Sequence, residues 1–220
     1  MGMKMTIKND GSFLFLDNEL FSVDISPEFM YNDGGRSDYF KGKTGDCVTR
    51  AITISLEKNA LGTPKNYKQI YNDLWAFQKQ YALENNTLLA KQLRERKTFS
   101  VRRGVSSSIM HLYLKSLNYD FYPEPLTNEI LKSEDNLILM FKKHTSAIIN
   151  GVVNDDYNPF EDNRRALKKM YGYYKKNPEA RKKEIKDYLK KIKVHEKKYP
   201  YGFLSIFENT IKKLEMELKK

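Results

Sequence analysis

The sequence holds one cysteine, Cys47, in 220 residues. It can therefore build neither an internal disulfide nor a multi-cysteine zinc site, and this poverty fits a reducing compartment. Histidine is almost as scarce, with three copies at 111, 144 and 195. No stretch approaches the roughly 20 apolar residues that a membrane-spanning helix needs. Residues 1–9 also lack an apolar run ending in a small-residue cleavage site, which predicts a cytoplasmic protein with no membrane partner. A disulfide framework and a multi-cysteine zinc site are excluded, and nothing calls for a metal or other cofactor.

What is present is ample for folding. Apolar residues make up 40% and aromatic residues 13% of the chain, enough for one substantial core plus a helical appendage. The net charge of +11 is uneven: residues 178–220 carry 13 Lys/Arg against 7 Asp/Glu, more than half of the excess. Such a segment is either a solvated helical face or a surface for nucleic acid or an acidic protein.

Along the chain, residues 12–25 read as a β-hairpin turning at Asp17-Asn18. Four glycines, at 34, 35, 42 and 45, precede a helix over 47–58 that is apolar around most of its circumference and leaves a narrow polar stripe at 46, 50, 53 and 57. Helical spacing predicts further helices over 67–85, 87–97 and 104–118. The period then shortens to that of strands: 119–122, 136–141, a hairpin turning at Asn150-Gly151, and one more strand over 166–175, where Gly172 argues against a helix. Helices followed by sheet predict an α+β fold with a helical N-terminal half packed on an antiparallel sheet. Pro178 begins a Lys-rich helix to about 199. Pro200 breaks it, and 203–220 forms another with Phe203, Ile206, Phe207, Ile211, Leu214 and Leu218 on one side. We expect residues 1–177 to form one domain and 178–220 a basic helical hairpin. In that hairpin Ile185, Tyr188, Leu189 and Ile192 would face the second helix, and Lys182, Lys183, Lys186, Lys190, Lys193 and Lys197 would point outward.

Cys47 lies where the glycine-rich loop becomes helix. A helix N-terminus offers unsatisfied N–H groups and the positive end of the dipole, both of which favour a thiolate. Asp46 is a good cap, but its charge opposes that effect, so a histidine is needed to activate the thiol. His144 stands at the foot of the second hairpin. If Asn150 and Gly151 form the turn, Ile149 faces Val152 and His144 faces Tyr157, which makes Asp155 a same-face diagonal neighbour of the imidazole. Asp155 is thus the first choice to orient His144. Asn158 is the alternate if the strand ends early before Pro159. The bland alternative is a buried inert cysteine and an ordinary hydrogen-bonded histidine. His111 and His195 read as structural or solvated.

The order of a cysteine at a helix start, then His and an acid or amide on a later hairpin, resembles papain-like cysteine peptidases. The Asp-Cys pair and the Asn-Pro pair are also similar to the bacteriocin-leader peptidase domains of exporters. Asp33-Gly34-Gly35-Arg36, Phe40-Lys41-Gly42, Gly45 to Ile52, His144 to Pro159 and Tyr171-Gly172-Tyr173 resemble an uncharacterised papain-like family of bacteria and phages. The likeness runs from about 32 to 175. It implies a papain-like fold in a bacterial or phage-infected cell, and a Cys-His-Asp hydrolase cleaving a peptide, isopeptide or related amide bond in a peptide or protein substrate. One departure stands out: papain-like peptidases carry an oxyanion-hole glutamine six residues before the cysteine, and here that residue is Lys41. A backbone N–H of Cys47 with Lys41, Lys43 or Thr44 would have to substitute. The rival expectation is a catalytically weak papain-like scaffold that binds nucleic acid or a virion or host protein through its basic C-terminal helices.

Overall fold

Asn150 and Gly151, at φ of 50° and 80°, form the tight turn that their sequence predicts. This turn joins β7 (Thr145–Ile149) to β8 (Val152–Asp155) within a mixed sheet. The computed structural model describes residues 6–7, 13–14, 21–22, 25, 27–42, 45–59, 61, 64–96, 99–133, 135–161, 169–198 and 203–219.

Within the described residues the chain begins with β1 (Thr6–Ile7) and β2 (Phe13–Leu14), which pair with each other, and continues with β3 (Phe21–Ser22) and β4 (Phe29–Tyr31). The hairpin expected over 12–25 is therefore corrected: Phe13-Leu14 pairs with Thr6-Ile7, whereas Phe21-Ser22 pairs with Met170-Lys169. Its turn at Asp17-Asn18 lies outside the described residues. Phe13-Leu14 finds its partner a few residues upstream, and Phe21-Ser22 finds its partner far downstream.

A helical stretch follows: α1 (Cys47–Asn59), α2 (Tyr67–Glu84), α3 (Leu88–Glu95) and α4 (Ser107–Ser116). Asn66, Thr87 and Ser106 cap α2, α3 and α4 by accepting from the backbone N–H three residues on. Then come β5 (Tyr119–Tyr122), a short α5 (Asn128–Lys132), β6 (Leu137–Phe141), β7, β8 and β9 (Lys169–Lys176). The sheet runs β3-β9-β6-β7-β8-β4, with β5 also on β9. Its pairings are antiparallel except one. β4 lies parallel to β8, placing Tyr31 opposite Asp155, so the expected antiparallel sheet is corrected to a mixed one to which the N-terminal half contributes strands.

The apolar run of β6 is buried on both faces. Ile138 and Met140 meet Val48, Ala51 and Ile52 of α1, while Leu137, Leu139 and Phe141 meet Leu126, Ile148, Val153 and Met170. The second face is partly covered by Ile130 and Leu131 of α5, a helix too short for its pattern to be read in advance. α1 thus lies directly against the sheet that carries His144 and Asp155.

α6 (Pro178–Lys198) and α7 (Phe203–Lys219) close the chain. Arg181 at the start of α6 bonds Glu217 at the end of α7, so the two run antiparallel. Ile185, Ile192 and Leu214 are buried, and Lys183, Lys186, Lys190 and Lys193 are exposed. No helix among the described residues is long and apolar enough to cross a membrane.

Candidate active site

Cys47 is the first residue of α1 and is half-buried against the core. The loop before it is held in place: Gly45 rests against the Arg102-Arg103 backbone, and the Asp46 carbonyl accepts the Arg50 N–H to start the helix. Facing it, β6 and β7 are joined so tightly that the Phe141 N–H donates to the His144 carbonyl, which pins His144 at the mouth of β7. The β7–β8 register pairs Ile149 with Val152, Ile148 with Val153 and Ala147 with Asn154. Continued outward, that count sets His144 across from Tyr157, and their rings lie 4.9 Å apart.

His144 Nε2 lies 2.6 Å from Asp155 Oδ2, and both residues are buried. Cys47 is the other hydrogen-bonding side chain of the imidazole. Burial alone would push the imidazole down, but its bonds to Asp155 and Cys47 outweigh that and raise it to about 9. Burial likewise opposes ionisation of Asp155. The His144 and Arg50 charges and the Asp156 N–H override it and hold this carboxyl below the usual range. The Asn32 N–H, just past β4, donates to the Asp155 carbonyl, so β8 is held from both sides.

Behind this pair lies a cluster of buried charge. Arg50 Nη1 donates to Asp46 Oδ1 at 3.0 Å, while Nη2 reaches Asp155 Oδ1 at 3.0 Å and Asp156 Oδ1 at 2.8 Å. Tyr67 Oη donates to Asp46 Oδ2 at 2.5 Å. Arg36 Nη1 stands 3.8 Å from Asp46 and 3.9 Å from Asp156. The Asp46 charge beside Cys47, which the sequence suggested would be unfavourable, is thus compensated by two guanidinium groups and a phenol. Burial is the first influence raising Asp156 above its ordinary value, with Asp155 adding to it against the two arginines.

Of the other candidates, Asn158 and His111 are engaged elsewhere. Asn158 Oδ1 accepts the Phe160 N–H in a local turn, and Asp155 takes the place beside His144. The β7–β8 register is the one on which the parity count was made. Lys41 is exposed and its carbonyl accepts from Arg102, while Lys43 and Thr44 lie outside the described residues. His111 is buried against Tyr174, and burial pushes it down to about 4. His195 lies in α6. No group of three or more His, Cys, Asp or Glu among the described residues could hold a metal. Sequence reasoning missed Arg50, Tyr67 and Arg36. The one available signal was Asp46 and Arg50 at (i, i+4) spacing on the polar stripe of an otherwise apolar helix.

No protein-family model, curated protein or solved structure matches this chain.

Proposed function

We propose that the chain is a papain-like cysteine hydrolase that cleaves a peptide, isopeptide or related amide bond, with Cys47 as nucleophile, His144 as acid and base, and Asp155 as the residue orienting the imidazole. One observation carries this reading: a single imidazole bonded by a buried carboxylate on Nε2 and by the helix-starting cysteine as its other partner. With its value raised to about 9, the His144 imidazole is a base strong enough to take the Cys47 proton. Cys47 Sγ attacks the carbonyl carbon, and the π electrons move onto oxygen. As the tetrahedral intermediate collapses, His144 gives its proton to the departing nitrogen and a thioester remains. His144 then takes a proton from water, the hydroxide displaces sulfur, and the acid product leaves. An amine in place of water would make the same chain an acyl transferase, so product mass separates the two outcomes. The first-turn N–H groups of α1, which no intrahelical carbonyl serves, are the donors in reach of the developing oxyanion.

The test is alkylation of Cys47 by substoichiometric iodoacetamide across pH, followed by mass spectrometry. An activated site alkylates well below the ~8.5 at which a free thiol titrates. A profile like that of a free thiol, or a Cys47→Ala chain that retains every phenotype, would overturn the reading.

A second reading takes its support from Lys41 in the place of the glutamine and from the exposed lysines of α6, where Lys186, Lys190 and Lys193 line a groove with Leu189 and Val194. On that reading the chain is a binding scaffold for nucleic acid or an acidic virion or host protein.

A further inference from the structure

We propose that Arg50 is a positioning residue for the reaction: its guanidinium holds the Asp155 carboxylate in line with His144 and ties it to the helix that carries Cys47. The inference rests on the hydrolase reading above. Arg50 follows Cys47 by three residues on α1, so both side chains leave the helix on the same side. The guanidinium, in a residue only 3% exposed, spans three carboxylates: Asp46 at the start of its own helix, and Asp155 and Asp156 at the end of β8. Asp155 is held at both oxygens. Oδ2 faces the imidazole, and Oδ1 accepts from Arg50 Nη2 and from the Asp156 N–H at 2.8 Å. The carboxylate cannot turn without breaking one of these bonds.

Arg36 does not duplicate this role. Its Nη1 stands beyond hydrogen-bond distance of Asp46 and Asp156, and both Nε and Nη1 are buried without a hydrogen-bond partner among the described residues. It supplies charge and no orientation. Take Arg50 away, and three buried carboxylates face one loosely placed guanidinium. Buried like charges cannot all stay ionised, so protons are taken up. A protonated Asp155 no longer stabilises the imidazolium. Lysine in place of Arg50 would restore the charge but not the planar fork that reaches three acceptors at once.

The experiment uses the full chain and two readouts: the pH dependence of Cys47 alkylation by iodoacetamide, and the ¹⁵N resonances of the His144 imidazole. In Arg50→Met the acid-side midpoint should move up by about 1 pH unit or more, the size expected for loss of one adjacent opposite charge. In Arg50→Lys the midpoint should stay near that of the unmodified chain while the alkylation rate falls. Millimolar guanidinium added to Arg50→Ala should bring the midpoint back down. A folded Arg50→Met chain with an unmoved midpoint would overturn the proposal, as would an Arg50→Lys chain that matches the parent in both rate and midpoint. If Arg50→Met does not fold, the rate of Arg50→Lys decides. Parent Cys47 behaving as a free thiol would sink the hydrolase reading alone, because the imidazole resonances still report whether Arg50 governs Asp155.

Discussion

His144 Nε2 and Asp155 Oδ2 stand 2.6 Å apart although the two residues are separated by eleven positions and a turn. The hairpin brings them together because its register leaves both at the same end, diagonal to each other. Asp155→Asn keeps this geometry but removes the charge that stabilises the imidazolium. Once a substrate or acylating probe is in hand, this variant should lose about 100-fold or more in kcat/KM, the scale of a compromised acid–base group. Asn158→Ala should leave the rate unchanged, and equal losses in both variants would refute the assignment.

The raised imidazole predicts a stability that depends on pH. Its folded value of about 9 exceeds the ~6.5 of an unfolded chain, so the stabilisation is complete below about pH 6.5 and disappears as pH rises through 9. The lowered Asp155 describes the same ion pair from the acid side, where stability is lost as pH falls through its depressed folded value. The alkaline loss should be on the order of 3 kcal/mol. Urea midpoints measured from pH 6 to 10 should decline in the parent chain and much less in His144→Gln. On the hydrolase reading the rate of amide cleavage should fall over the same alkaline range, since the leaving group then lacks its proton.

Gly172 has φ of 144° and lies beside the β6–β9 bulge, where the register slips between Met140 and Phe141. A Cβ there would overlap the Tyr122 carbonyl oxygen and crowd Pro123. Gly172→Ala should therefore cost on the order of 3 kcal/mol, combining backbone strain with overpacking, as read from the shift in urea midpoint. A midpoint within error of the parent would show that β5 yields without cost.

The basic helices give a separate test. A chain ending at Asn177 should fold and keep its Cys47 alkylation profile, because Cys47, His144 and Asp155 all lie upstream. On the scaffold reading, labelled DNA or RNA should bind the full chain with an affinity that falls steeply with salt, in proportion to the phosphates neutralised. Fluorescence anisotropy that shows no binding at about 50 mM salt would leave protein docking or solubility as the role of these lysines.

The sequence by itself determined whatever depends on neighbours along the chain. Asn150-Gly151 dictates a two-residue turn because both positions need positive φ, and from that turn the side-chain parity of His144 and Asp155 follows by counting. The helix beginning at Cys47 and the helices α6 and α7 are local patterns of the same kind. Tertiary structure alone decided which strands meet. β2 pairs with β1, β3 with β9, and β4 lies parallel to β8, because the side-chain alternation of a strand marks its two faces and not its partner. It also decided the electrostatics. Asp46 and Arg50 read in sequence as a polar stripe, yet packing α1 on the sheet buries them and brings Asp155 and Asp156 to the same guanidinium. No spacing rule links residues 50 and 155. Only the fold could bring them to the same place, and burial is what makes their pairing obligatory.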